Sequence, residues 1–475
     1  MNVQDFIIRV LEFLEESIDR AMENIAEKDH SLNAQFERET KLLSASYKGF
    51  SVTGKKHLSI NDSQNNMMII SPSGGGKTTT VVYPSCFNIG SSMIINDPSG
   101  EIYKTKNYFL KRGFRVCALD FTMPENSIYY NPMHRIQSNA DINKIAQILV
   151  RATTKDNKDF WSNKAVELIS MFMHFLLDNA PKESQNLTNV FYLLELLQGE
   201  SGTIDALFAD KASPKLWQKY KSLIGNSENT RASIISSAQA SLSFIADDEV
   251  LSKLTSTDTF DFSSLRTEKT VLFLRCPLGD MTYYSTILSI FFEQFFSEIF
   301  QKLPNNNDDY IFVIIDELSS LFLPNLANII SNARKFKIPI LGVLQSENQL
   351  YNNYGEYNAK TILNNCATKV YFTGLTDECN RLEKILGQYT YEDKETGGKR
   401  IRSLKTADEI RTMPKDRVLI IPSGMRPIYA KTTPYYKQKR LVKFLELEPP
   451  NDSADEEIVK QHEVKYLDIE QYRNV

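Results

Sequence analysis

MIISPSGGGKTTTVVYP, residues 68–84, decides the fold. Met67–Ile70 is a short unbroken apolar run of strand type, and Gly74, Gly75 and Gly76 then lead through Lys77, Thr78 and Thr79 into a helical stretch. Glycines at a strand-to-helix junction let the backbone curl with its N–H groups turned toward anionic oxygens, and the following helix start favours negative charge. Ser73, Gly74, Gly75, Gly76, Lys77, Thr78 and Thr79 are therefore read as a polyphosphate cradle, with Lys77 neutralising β and γ phosphates and the Thr78 hydroxyl holding Mg²⁺. The strict spacing expects Gly at 71, where this chain has Ser71.

The second half of such a site lies far downstream. YIFVIIDELSSL, 310–321, is a buried-strand pattern ending in Asp316 and Glu317. In an open α/β sheet the carboxyl ends of strands form the ligand edge, so Asp316 is placed to hold Mg²⁺ and Glu317 to polarise an attacking water. IPILGVLQSENQL, 338–350, ends the next strand at Gln345, a position suited to sensing the γ-phosphate. Arg334 and Arg275 are candidates for a phosphate contact across a subunit interface.

Around these motifs, the runs FSVTG, SMIIND (92–97) and FRVCALDF (114–121) alternate with helical stretches, as in a mostly parallel sheet. From 137 to 262 strand signals nearly vanish and amphipathic helices follow one another. Strands return in TVLFLRCP (270–277), YIFVIIDE, IPILGVLQS, TKVYFTG (368–374) and RVLIIPSG (417–424). The pattern predicts an α/β fold: a P-loop nucleotide-binding domain with a mostly parallel sheet in two sequence pieces, 49–136 and 263–445, interrupted by an all-α insertion, 137–262. An N-terminal amphipathic helical segment (1–48, with Ile7, Val10, Leu11, Leu14, Ile18, Met22 and Ile25 on one face) and an acidic tail (446–475) complete the chain.

Composition excludes other classes. With 42% hydrophobic and 24% charged residues among 475, the chain is globular. Its most apolar window, TILSIFFEQFFSEIF at 286–300, carries Glu293 and Glu298, so no membrane-spanning segment is expected, and the N-terminus shows no secretory signal. Five scattered cysteines without a C-x-x-C fit a reducing cytoplasm. The net charge of −4 is concentrated in the tail, where nine acidic residues face three basic ones, and a solvated, flexible end is expected there. None of the five histidines lies in a metal-ligand pattern.

The ordered motifs GGGKTTTVVYP, IINDPSGEIYKTK, GFRVCALDF, IYYNPM, KDFWSNKAV, the 310–321 strand, NARKFKIPI, LQSENQL and TADEIRTMPKDRVLIIPSG run from about 50 to 440. In this order they resemble the TraG/TraD-like type IV coupling proteins, the ATPases of conjugation and type IV secretion. The resemblance implies that Lys77 and Thr78 match the family's Walker A, Asp316 and Glu317 its Walker B, and Gln345 its sensor-like glutamine. Asp97, Pro98, Gly100 and Glu101 match its Asp-Pro-Lys-Gly-Glu stretch, with Ser99 where lysine is usual.

It further implies a RecA-like P-loop NTPase domain, ATP and Mg²⁺ as ligands, a homo-hexameric ring, and delivery of relaxase-bound single-stranded DNA or protein to a secretion channel. Typical members begin with two transmembrane helices; this chain is expected to be cytoplasmic and to dock peripherally on inner-membrane secretion subunits instead. An FtsK-like DNA translocase shares the catalytic core but carries a DNA-reading winged-helix module, of which the sequence shows no sign. An adaptor that binds ATP without hydrolysing it has no use for Glu317.

Overall fold

The computed structural model describes residues 33–98, 100–153, 160–393, 395, 397–448 and 462–473. The expected first helix (7–25), Ser99, Lys158 and Asp159 of the KDFW stretch, and positions 449–461 of the tail lie outside them.

Seven parallel strands form the centre of a nine-stranded sheet. They are β1 (Met67–Ile70), β2 (Ser92–Asn96), β3 (Arg115–Asp120), β4 (Thr270–Arg275), β5 (Ile311–Ile315), β6 (Ile340–Leu344) and β7 (Thr368–Tyr371). A separate antiparallel hairpin, β8 (Gln388–Glu392) and β9 (Lys399–Ser403), precedes β10 (Arg417–Pro422) and β11 (Ile428–Lys431). The large sheet runs β11-β10-β7-β1-β6-β5-β2-β4-β3, with β10 antiparallel to both of its neighbours. FSVTG, expected as a strand, supplies only the single bridge Ser51↔His57 and joins no ladder of the sheet.

The central strands read as continuous apolar runs because both sheet faces are buried. Met67 and Ile69 of β1 point into one apolar cluster with Val81, Phe87 and Phe109; Met68 and Ile70 point into the other. The second cluster is continuous with the helices of the insertion, Asn139–Thr153 through Glu249–Leu254, and with the helix Met281–Ile299 that lies between them and the sheet. Glu293 and Glu298 on that helix hold polar partners: Glu293 accepts from Asn325 (2.6 Å), and Glu298 from Arg135 (3.0 Å). None of the described helices is long and apolar enough to cross a membrane.

The tail expectation needs correction for residues 462–473, which dock on the helical insertion. Ile469 is 1% exposed, Asn189 exchanges hydrogen bonds with Lys465 and Leu467 of the tail, and Tyr472 donates to Asp210 (2.6 Å). Apolar burial and backbone pairing outweigh the acidic excess that suggested a solvated end.

Arg135 fastens the insertion's entry to its exit. Its guanidinium lies 3.8 Å from the centre of the Phe262 ring and donates to Asp258 (2.9 Å) and Glu298 (3.0 Å), with only 8% of its side chain exposed. Truncating one partner of a buried ion pair strands the other charges. Arg135→Ala is therefore expected to lower unfolding free energy by about 3–5 kcal/mol, read from urea denaturation.

Candidate nucleotide and catalytic site

Three strand ends meet at one sheet edge. β6 lies between β1 and β5, so Gln345, following β6, stands between the loop after β1 and the acidic pair after β5. The loop carries positive φ at Gly74 (74°) and Gly76 (86°), the left-handed conformations that gather backbone N–H groups into an anion-binding concavity. A Cβ at Gly75 would sit 2.2 Å from the Ser71 hydroxyl. Ser71 itself continues the ladder, its N–H donating to the Leu344 carbonyl (3.0 Å), and its backbone has no positive φ. The departure at 71 thus removes no conformation that the loop needs.

The Thr78 hydroxyl donates to Asp316 (2.8 Å), and the Lys77 ammonium lies 3.5 Å from Glu317. Gln345 donates its side-chain amide to the same Glu317 oxygen (3.0 Å), and the Ser319 hydroxyl donates to the other (2.7 Å). Glu317 has φ 62° and ψ 56°, a left-handed backbone that costs a non-glycine residue about 1–3 kcal/mol. Asn96 at the end of β2 braces the turn by donating to the Asp316 carbonyl (3.0 Å).

Adjacent carboxyls are driven in opposite directions. Burial raises Asp316 above the ordinary carboxylate value, against the Thr78 hydrogen bond and Lys77. Burial acts on Glu317 too, but the hydrogen bonds from Gln345 and Ser319 and the Lys77 charge prevail and lower it. Glu317 is thereby kept an acceptor at neutral pH, as a water-polarising group requires.

The remaining candidates fall elsewhere. Arg275 is paired with the buried Asp120 and stacks 4.2 Å from the Tyr103 ring centre, so its charge is engaged within the chain. Arg334 is exposed in the turn before β6, at the opposite edge of the sheet from the glycine loop. Asp97 is buried after β2 and accepts from the Tyr103 N–H (2.8 Å). Motif reading missed Ser319, Asn96 and Asn353, which donates to the Ser319 carbonyl (3.0 Å). Ser319, two residues beyond Glu317, had a signal in the habit of short hydroxyl side chains to bond locally; the other two had none.

A glycine loop after β1, an acidic pair after β5 and a glutamine on the strand between them define a RecA-like P-loop NTPase fold. The family model for Type IV secretory system conjugative DNA transfer matches residues 19–467, and the chain belongs to that family. It is 22% identical over 419 residues to the type IV secretion system-coupling protein VirD4 of Bartonella henselae, covering 79% of this chain and 64% of that protein. Its likeness to VirD4 of Bartonella quintana is 22% over 411 residues, with the same coverage. The chain thus spans under two thirds of the length of these curated relatives.

Among solved structures, the bacterial conjugative coupling protein TrwB in complex with sulphate superposes with a TM-score of 0.67 at 17% identity, over 85% of this chain and 95% of that one. The plasmid coupling protein TrwB in complex with ADP and Mg²⁺ gives 0.66 at 17% identity, over 85% and 94%.

The raised Asp316 sets a pH dependence. A carboxyl raised in the fold contributes stability below its ordinary value and loses it as pH rises through the raised value. Asp316→Asn is accordingly expected to melt above the parent at pH 7 without nucleotide, with the gap closing as the pH falls toward 4. Thermal scans across that range check both sign and trend.

Proposed function

We propose that the chain is an ATP-hydrolysing coupling protein that moves DNA, as a relaxase-bound single strand, or protein cargo toward a type IV secretion channel. The observation carrying this reading is Glu317, ionised and held by Lys77, Gln345 and Ser319 beside the Thr78–Asp316 pair. A pure nucleotide-binding scaffold has no need of a carboxylate so positioned.

The donor set at Thr78 and Asp316 is hard oxygen on an enclosed carboxyl, which suits Mg²⁺ with phosphates and waters completing its shell. Bound there, Mg²⁺ supplies charge neutralisation at the phosphates. The glycine-loop N–H groups and Lys77 bind and orient the polyphosphate of ATP. Glu317 accepts a proton from water, and Gln345, already on Glu317, aligns that water and registers phosphate departure.

Hydrolysis in a homo-hexameric ring would bring a neighbour's arginine to the site. Arg334, exposed on its own subunit, fits that role better than the internally paired Arg275. We place the working protein at the cytoplasmic face of the inner membrane, held by secretion subunits, with relaxase and single-stranded DNA as partners.

The test is steady-state ATP hydrolysis, with and without single-stranded DNA, over a range of protein concentrations. Glu317→Gln should cut turnover about 10²–10⁴-fold while nucleotide binding persists, and Lys77→Ala should weaken binding itself. Turnover that rises with DNA and protein concentration supports a ring motor. Nucleotide binding without turnover under every condition would make the chain a cargo-recruiting adaptor.

A further inference from the structure

The hairpin β8–β9 forms its own two-stranded sheet. Its register pairs Tyr389 with Arg402 and Tyr391 with Arg400. Cross-strand partners share a face and alternate residues change face, so these four side chains lie together, two phenol rings on one strand opposite two guanidinium groups on the other. The ring centroids are 6.0 Å apart. Tyr391 is 38% exposed, and the side chains of Arg400 and Arg402 are 58% and 49% exposed. Neither tyrosine belongs to the apolar clusters of the fold.

Each arginine is steadied without being covered. Arg400 holds Asp393 through Nε (2.7 Å), and Arg402 holds Glu409 through one Nη (2.7 Å). A guanidinium has five donors, so these contacts hold each group on the hairpin while other N–H groups remain for a ligand. Stacking rings beside oriented guanidiniums match a chain that alternates flat π faces with phosphates. A duplex, with its bases already stacked, offers only the phosphates.

The hairpin is wired to the catalytic edge. Directly after Gln345, the Ser346 hydroxyl and the Glu347 N–H both donate to Glu378 (2.9 and 2.8 Å), and Glu347 accepts from Tyr371 (2.7 Å) and pairs with Arg381. Glu378 and Arg381 belong to the start of the helix Cys379–Leu386, whose Glu383 accepts from the Ser403 hydroxyl at the end of β9 (2.7 Å) and from the Ala407 N–H (2.8 Å). Gln345 and the hairpin are thus connected through the adjoining Ser346–Glu347 backbone, its bonds to Glu378, and the helix that carries Glu383.

We propose that Tyr389, Tyr391, Arg400 and Arg402 form a gripping face for single-stranded DNA, and that the Ser346–Glu347–Glu378 link passes changes at Gln345 to it. The proposal rests on the DNA-motor reading above and names the surface that meets the strand.

The test uses the full chain and fluorescence anisotropy with a labelled oligo-dT across a KCl series. The double variant Tyr389→Ala/Tyr391→Ala should lose affinity roughly tenfold or more with little change in salt slope, and Tyr389→Phe/Tyr391→Phe should retain it. Arg400→Ala/Arg402→Ala should flatten the slope by up to about 1.4, two phosphates' worth. All variants should keep the parent's melting temperature and DNA-free hydrolysis while the alanine pairs lose DNA stimulation. Parental affinity and slope in both alanine pairs overturn the proposal alone and leave the hairpin to a protein partner. A parent chain that binds no single strand overturns it together with the motor reading.

Discussion

The strand ends that carry Lys77, Glu317 and Gln345 pack over a contact so close that only glycine fits it without a shift. β6 fits between β1 and β5 with Gly342 facing the site's underside, where a Cβ would lie 2.9 Å from Leu318 and 3.0 Å from the Met68 sulfur. Leu318 fills that space and is fully buried, which is worth about 1.5–3 kcal/mol. This is the same size as the cost of the left-handed backbone at Glu317 immediately before it. Gly342 thereby leaves room for Leu318 and Met68 beneath the turn at Glu317, and a larger residue at 342 would oblige those two side chains to shift.

Electrostatics then drives two neighbouring carboxyls in opposite directions. Asp316 is enclosed, has a hydroxyl as its close donor and is raised; Glu317, one residue later, receives two hydrogen-bond donors and a nearby cation and is lowered. The division follows from the turn, because an extended backbone would send the two side chains to opposite faces of the strand. Thr78 meets one and Lys77 the other, so consecutive residues of the glycine loop read consecutive residues after β5.

Much of this was legible in the sequence wherever burial is two-sided. The central strands announce themselves as MMII, SMII, IFVII and ILGVL, and the glycine loop and DE pair sit at their ends. The β8–β9 hairpin escaped notice because its residues are partly or wholly exposed, so KRIRS and QYTYE carry no apolar signal of a strand; β11, four residues with only Ile428 and Ala430 buried, is too short to show one. Arg275 shows a different failure: a sequence cannot tell an arginine aimed outward from one already matched to an aspartate on a neighbouring strand, and Asp120 lies opposite it in the β3–β4 register. Asn96 and Asn353 brace the turn around Glu317 through contacts decided by the path of the chain, which no spacing rule contains.

The docked segment 462–473 gives the molecule a mechanical asymmetry. Its backbone and Tyr472 are bonded to Asn189 and Asp210, so the last described stretch of a chain that finished its sheet at Lys431 is anchored to helices 262 to 278 residues earlier. Tension on this segment meets its contacts with the helical insertion before it reaches the sheet that carries Lys77, Glu317 and Gln345.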